Sequence, residues 1–349
     1  MHRYRVLFEA HWPLVFREPG LFDATVHGPS TAGRSLLYPQ PSTIAGALAS
    51  LFYDRDILDG CDEDSVFWDQ ECVLGKSLGS KYRIFSGYAV ADGGEVYIYT
   101  GTGFTKIEPL RKGIREVLDR YKSDLDSRHF INSIKRANKC GRSTALFERI
   151  GIALDRRVKA AREGYLYILQ HVDYVDSKGR FHPAIYIEAE KEIKATGGKP
   201  LFLGGERRIT LYSIHEAERP GISDFTRSKD LVAALLISPA ILKNTPLEEV
   251  NMVSVSSTEK LAKELLNEAG LLDKFDIADP YLVQTSGQPI EAVNAGWSMA
   301  MGMLREPVII VPPGTILLLR PRKSDAIEEL YSRGVGSYTW LGWGTVDVI

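Results

Sequence analysis

The chain has 349 residues, with 43 Lys and Arg against 45 Asp and Glu, a net charge of −2 and 44% hydrophobic residues. That length predicts two domains, and the composition is globular, excluding disorder and fibrous repeats. The near-zero charge excludes a binder that works by bulk charge, yet leaves room for a local basic face.

The opening Met1-His-Arg-Tyr-Arg leads directly into alternating sequence, without the apolar block of a signal peptide. No apolar run approaches the ~20 residues of a membrane helix, so the chain reads as cytosolic, with no membrane partner. Cys61, Cys72 and Cys140 are odd in number and widely spaced, which argues against a disulfide framework or a zinc site. No cofactor motif is present: there is no P-loop, and Gly101-Thr-Gly103 lacks the rest of a dinucleotide fingerprint.

In chain order, Tyr4–Trp12 reads as a strand and Arg17–Asp23 as turn chemistry. Ser42–Phe52 is helical, with Ile44, Leu48, Leu51 and Phe52 on one face and Pro41, Ser42 and Thr43 marking its start. Strands follow at Tyr82–Ala89 and Glu95–Tyr99, then a charged amphipathic helix at Ile107–Tyr121. The basic stretch from Arg128 to Arg142 reads as a solvated, mobile insertion that orders only on RNA or a partner subunit. Gly164–Val172 and Ala184–Ala189 alternate and flank the turn Asp176-Ser-Lys-Gly179. A glycine-rich element with paired arginines, Gly197–Arg208, closes the first half.

From about Ser223 the pattern restarts. Strands are predicted at Leu231–Ser238, Tyr281–Thr285, Ile290–Val293 and Thr315–Arg320, with helices at Thr258–Ala269 and Ser324–Tyr331 and a last strand at the C-terminus. Strand, helix, two strands, helix, strand is the split βαβ order of the ferredoxin-like fold. The predicted class is α+β: two tandem ferredoxin-like (RRM-like) domains with inserted hairpins and loops, over residues 1–222 and 223–349.

Three elements suit phosphate or bases. The run Gly334-Val-Gly-Ser-Tyr-Thr-Trp-Leu-Gly-Trp-Gly344 interleaves glycines with Tyr338, Trp340 and Trp343. Its glycines (Gly334, Gly336, Gly342, Gly344) permit close backbone approach, and its aromatics offer faces for unpaired bases. A glycine-rich hairpin with core aromatics is the alternative. Ser42 and Thr43 stand at a helix start, where hydroxyls and free N–H groups attract anions, or form an ordinary N-cap. Arg17 and Arg34 lie in the preceding loops, so all four can converge. Arg207 and Arg208 follow Gly204-Gly205, placed to grip a backbone phosphate, unless one of them pairs with Glu206. Seven histidines are scattered without metal spacing. His11 and His27, flanking the Arg17 turn, are the nearest candidates for the general base of a metal-independent ribonuclease.

These pieces together resemble a known family. Phe16-Arg-Glu-Pro with Leu37-Tyr-Pro-Gln-Pro-Ser-Thr-Ile-Ala-Gly-Ala-Leu48 is similar to the start of the Cmr subunit 3 family, RAMP proteins of type III-B CRISPR effector complexes. So are Gly151–Asp155, Ala161–Tyr167, Leu203–Arg208, Ala295-Gly-Trp297 and the closing loop, with its Gly-apolar-Gly, five residues, Gly-any-Gly spacing. The resemblance spans nearly the whole chain in order. It implies two ferredoxin-like domains and a non-catalytic antiviral role. Such subunits hold the 5′ handle of the CRISPR guide RNA and join the large polymerase/cyclase-type subunit to the first backbone RAMP subunit. It carries RNA contact to Arg17, Ser42, Thr43, Arg207, Arg208 and the Gly334–Gly344 loop; Arg34, Tyr338 and Trp340 are added on the physical argument above. The rival expectation is a metal-independent RAMP endoribonuclease that processes CRISPR repeat RNA.

Overall fold

A computed structural model describes residues 1–18, 32–54, 56–120, 125–155, 160–194, 197–205, 208–222, 230–245, 258–284, 289–298 and 300–349. The first half contains β1 (His2–Glu9), β2 (Ala32–Gly33), α1 (Pro41–Phe52), α2 (Trp68–Leu78), β3 (Arg83–Ala91), β4 (Val96–Tyr99), β5 (Phe104–Lys106), α3 (Ile107–Arg120) and α4 (Ser127–Lys139). It continues with β6 (Ala145–Asp155), β7 (Ala160–Asp173), β8 (Val175–Asp176), β9 (Gly179–Ala189), β10 (Lys199–Phe202) and β11 (Ile209–Glu216). The second half begins with β12 (Val232–Leu236), β13 (Ala240–Leu242), α5 (Thr258–Glu268), β14 (Phe275–Val283), β15 (Glu291–Asn294), β16 (Trp297–Ser298) and β17 (Met303–Leu304). It ends with β18 (Pro307–Val311), β19 (Ile316–Pro321), α6 (Ala326–Arg333), β20 (Leu341–Gly342) and β21 (Val346–Val348).

Two antiparallel sheets organise the chain. The first runs β10-β11-β1-β9-β3-β4-β5, with β8 beside β9 and β20 beside β3; the second runs β14-β19-β12-β21. β1 follows its period-two pattern, burying Tyr4, Val6 and Phe8 on one face. Those residues meet Ile44 and Leu48 of α1 in one core. In the second sheet, Leu317, Leu319, Val346 and Val348 pack on α5 and α6 through Leu265, Leu266, Ile327 and Leu330.

A third core joins the halves. The opposite face of the first sheet (Phe85, Tyr88, Tyr186) packs with that of the second (Ala233, Leu235, Ile316, Leu318), together with α3 and α4. Across this joint, Arg111 of α3 donates from Nη2 to Asp347 Oδ1 at 2.6 Å and from Nε to Asp347 Oδ2 at 3.1 Å. Both side chains are buried, so the strength of the pair rests on its bidentate geometry. Among the described residues no helix is long and apolar enough to cross a membrane.

Three expectations need correction. The Arg128–Arg142 stretch is not a loose insertion: residues 127–139 form α4, and its spacing buries Phe130, Ile134 and Ala137 in the joint core. Asp126 caps its start by accepting from Arg128 N at 2.8 Å. The basic composition hid an apolar stripe one residue wide per turn. Arg142 is likewise buried, donating to Asp176 Oδ2 at 2.8 Å. Second, Cys61 and Cys72 are joined in a disulfide, 11 residues apart, because α2 folds back over the segment before it. Third, the Asp176–Gly179 turn connects short β8 to β9, whereas β7 pairs with β6 in a separate hairpin that β2 extends. The sequence pattern also passed over β6, β10, β13 and β16 to β18, most of them strands of two to five residues without enough length to show a period.

Candidate nucleic-acid interface

Four chain segments meet around the β6–β7 hairpin. Arg17 forms an antiparallel bridge with Ser35, and Glu18 N donates to the Arg34 carbonyl at 3.0 Å. Ser35 ties this pair to β7, its N–H donating to Gln170 Oε1 at 3.3 Å, and Gly33 pairs in register with Leu169. The turn after β10 arrives from the other side. Gly205 N donates to Val15 O at 2.8 Å, and a Cβ on Gly205 would lie 3.7 Å from Arg17 Nε. Arg208 closes the turn, and its Nη2 donates to His171 Nε2 at 2.7 Å. The second ring nitrogen, Nδ1, lies 3.0 Å from Leu169 O and donates to it. Those two contacts fix the neutral Nδ1–H tautomer, which leaves Nε2 free to accept from the guanidinium.

The hairpin adds an aromatic step. The Phe147 and His171 rings are stacked, with centroids 5.6 Å apart and planes 11° from parallel. Arg149, two residues along the same face, holds its guanidinium 5.5 Å from the Phe147 ring centroid. Arg17, Arg34 and Arg149 are exposed, whereas Arg208 is half-buried, its Nε without a hydrogen-bond partner among the described residues. Guanidiniums held on a rigid sheet edge beside a ring stack can seat phosphates and an unpaired base at once. Phe147, Arg149 and His171 escaped the sequence reading; the signal was the alternation of Phe147 and Arg149 along a strand that was not predicted.

The other expected residues lie elsewhere or are engaged differently. Arg207 falls outside the described residues, as does His27. Ser42 sits in the first turn of α1 but is not its cap, which is Gln40, and it is buried. Its Oγ has no partner among the described residues and faces Gly296, where a Cβ would come within 3.6 Å, while its carbonyl accepts from Gln70 Nε2 at 2.9 Å. Thr43 follows it on the half-buried side of that turn. Ser42 therefore looks inward toward α2 and the Gly296 turn, not toward Arg17 and Arg34.

The Gly334–Gly344 loop clasps the two halves together. Its two ends close on each other, Val335 N donating to Gly344 O at 2.9 Å. Its middle joins the first sheet: β20 runs parallel to Ile84–Phe85, and Ile84 N donates to Trp340 O at 2.9 Å. Ser86 Oγ and Ser238 Oγ, one from each half, both donate to Gly342 O, at 2.7 and 2.8 Å. Gly336 lies against the Ile241 carbonyl, 2.6 Å from where a Cβ would stand. Trp343 is fully buried and Tyr338 nearly so, its ring edge-on to Phe67 at 5.0 Å. Only Trp340 of the three aromatics is exposed, and its Nε1 donates to Glu71 at 2.8 Å.

His11 pairs at the surface with Glu9, 3.3 Å away, and lies edge-on to His182. His182 is buried: its Nδ1 accepts from Ala10 N at 3.0 Å and its Nε2 donates to Asp92 at 2.9 Å. Burial pushes the His182 imidazolium below the usual histidine range, and Asp92 pulls it back up in part. Among the described residues no group of three or more His, Cys, Asp or Glu is placed to hold a metal ion.

The family model described as CRISPR-associated protein (Cas_Cmr3) matches residues 136–348. The CRISPR system CMR subunit Cmr3 of Saccharolobus solfataricus is 26% identical over 230 residues, 61% of this chain. That match covers 63% of the relative, less than two thirds of its length. Among solved structures, a chain of the Type III-B Cmr-beta bound to cognate target RNA superposes with a TM-score of 0.61 at 18% identity, over 98% of this chain and 96% of that one. A chain of the same complex with cognate target RNA and AMPPnP gives 0.60 at 18% identity, over 98% and 95%. At that identity the likeness carries the fold alone.

Proposed function

The chain belongs to the Cmr3 family of CRISPR-associated proteins, and from that membership we propose that it is a non-catalytic subunit of a type III-B CRISPR effector complex. In this reading it binds the 5′ handle of the guide RNA and bridges the large polymerase/cyclase-type subunit to the first backbone subunit. The observation that carries the reading is the convergence of Arg17, Arg34 and Arg208 on the β6–β7 hairpin from three distant segments. A merely solvated arginine needs no such scaffold.

The ferredoxin-like reading of both halves, 1–222 and 223–349, rests on strand order. In the second half β12, α5, β14, β19, α6 and β21 follow one another, and their sheet order β14-β19-β12-β21 is that of a split βαβ unit. In the first half β11-β1-β9-β3 has the same order, with the β10 hairpin in place of the second crossover helix. The bridging role is supported by the near-neutral charge and by an apolar hairpin, β16–β17, that exposes Trp297, Met301, Met303 and Leu304. The rival endoribonuclease needs a general base with a free nitrogen. Both nitrogens of His182 are occupied, and the Nε2 of His11 is paired at the surface with the Glu9 carboxylate, while His27 lies outside the described residues.

The test is binding of handle RNA by the full chain, alone and in the assembled complex, with Arg17→Ala, Arg34→Ala and Arg208→Ala. Each lost charge-assisted contact is expected to weaken binding by about 1–3 kcal/mol and to lower the salt slope by about one. Unchanged affinity and slope in the triple variant sink the RNA role of this face. Metal-free cleavage of repeat RNA that His11→Ala or His27→Ala abolishes establishes the rival.

A further inference from the structure

A cavity of about 450 Å³ opens between the two halves. Its walls are apolar and stiff: Leu36 and Pro39 ahead of α1, Tyr99 at the end of β4, and Pro239, Ile310 and Pro312 from the second half. The backbone frame leaves no slack, because a Cβ on Gly101 would stand 2.4 Å from the Pro313 carbonyl oxygen. Two carboxylates, Glu18 and Glu291, line the same space. No cation among the described residues pairs with either of them.

The charge on Glu291 is the one that the cavity disfavours. Burial, and then the neighbouring Glu18, push the Glu291 carboxyl above the usual carboxylate range. The Tyr99 hydroxyl is pushed up by burial and then by the same two carboxylates, and it is already committed as a donor to Gly101 O at 2.6 Å. An apolar slot flanked by the exposed Glu18 and the half-buried Glu291, with no cation among the described residues paired to either, favours a ligand with a hydrocarbon stem and one positive end.

The geometry points to a protein partner that inserts a lysine or arginine side chain into this cavity, its methylenes against the proline and leucine walls and its charge on Glu18 and Glu291. RNA is disfavoured, since its phosphates would face two carboxylates. A free polyamine fits poorly as well: its charges recur every few carbons, and the inner ones would be left against apolar walls. Arginine fits best, because a planar guanidinium can meet both carboxylates at once. The inference rests on the reading that the chain works within an assembly.

The test uses the full chain and ligand-observed NMR with a blocked pentapeptide of four alanines around one arginine, its citrulline twin, and spermine. The arginine peptide is expected to bind at least ten-fold more tightly than the citrulline peptide. Glu291→Gln, alone and with Glu18→Gln, is expected to erase that preference while thermal unfolding stays unchanged, and the single Glu291→Gln variant is expected to keep wild-type handle-RNA affinity. Equal binding of the two peptides, or a preference that survives the double variant, overturns the inference. Spermine that the arginine peptide cannot displace overturns the protein partner. Loss of the RNA role through Arg17, Arg34 and Arg208 shows in a separate readout and leaves the peptide result to stand by itself.

Discussion

Two glycine-bearing elements of this chain share a local character but have opposite fates. The turn at Gly204–Gly205 ends on an open face, with Arg17 and Arg34 exposed beside it and His171 beneath Arg208. The Gly334–Gly344 loop, richer in glycine and in aromatics, is consumed by packing, with Trp343 fully buried and all four glycines pressed on neighbouring atoms. Glycine permits backbone to approach something closely; it does not say whether that something is a ligand or the rest of the protein. In the second element it is the loop's own ends and β13, with Gly342 alone set against Ile84 and Ser86 of the first half.

The contrast can be broken most sharply at Gly344. Its φ is +61°, and a Cβ would stand 1.7 Å from the Val335 carbonyl oxygen. Gly344→Ala is therefore expected to cost about 4 kcal/mol or more in urea unfolding, enough to unfold a marginal chain. A variant that melts as the wild type does would mean the loop is an open platform after all. Next in size is the joint that the loop closes. Asp347→Asn leaves the buried Arg111 guanidinium short of its countercharge, and a loss of about 3 kcal/mol is expected. A much smaller loss would mean that the two halves meet loosely and that the clasp carries their union alone.

The smallest effect discriminates best. Trp340→Ala keeps the backbone bond to Ile84 and removes only an exposed indole and its bond to Glu71, so stability should fall by about 1 kcal/mol. Handle-RNA affinity should not move. A ten-fold loss of RNA affinity in this variant would return the loop to the RNA-contacting role that its sequence suggests.

Most regular elements were legible because their signal is local. Ile44 and Leu48 on α1, Leu261, Leu265 and Leu266 on α5, and the alternation of β1 each declare a buried face within a dozen residues. The C-terminal order of strands and helices followed from the same patterns. α4 was missed although Phe130, Ile134 and Ala137 carry a helical period, because its polar and basic residues set the expectation. The candidate RNA face was half legible. Arg17, Arg34 and Arg208 were selected for their chemistry, while Phe147, Arg149 and His171 became neighbours only through the pairing of β6 with β7.

By itself the sequence determined the alternation of elements, the start of α1 at Pro41 and the absence of a long apolar span, since each depends on residues within a turn or two of one another. The tertiary structure decided which backbone each glycine meets, that Ser42 turns inward, that Cys61 reaches Cys72, and that Glu18 and Glu291 share one cavity. Burial and convergence are sums over segments far apart in the chain, and no local window contains them.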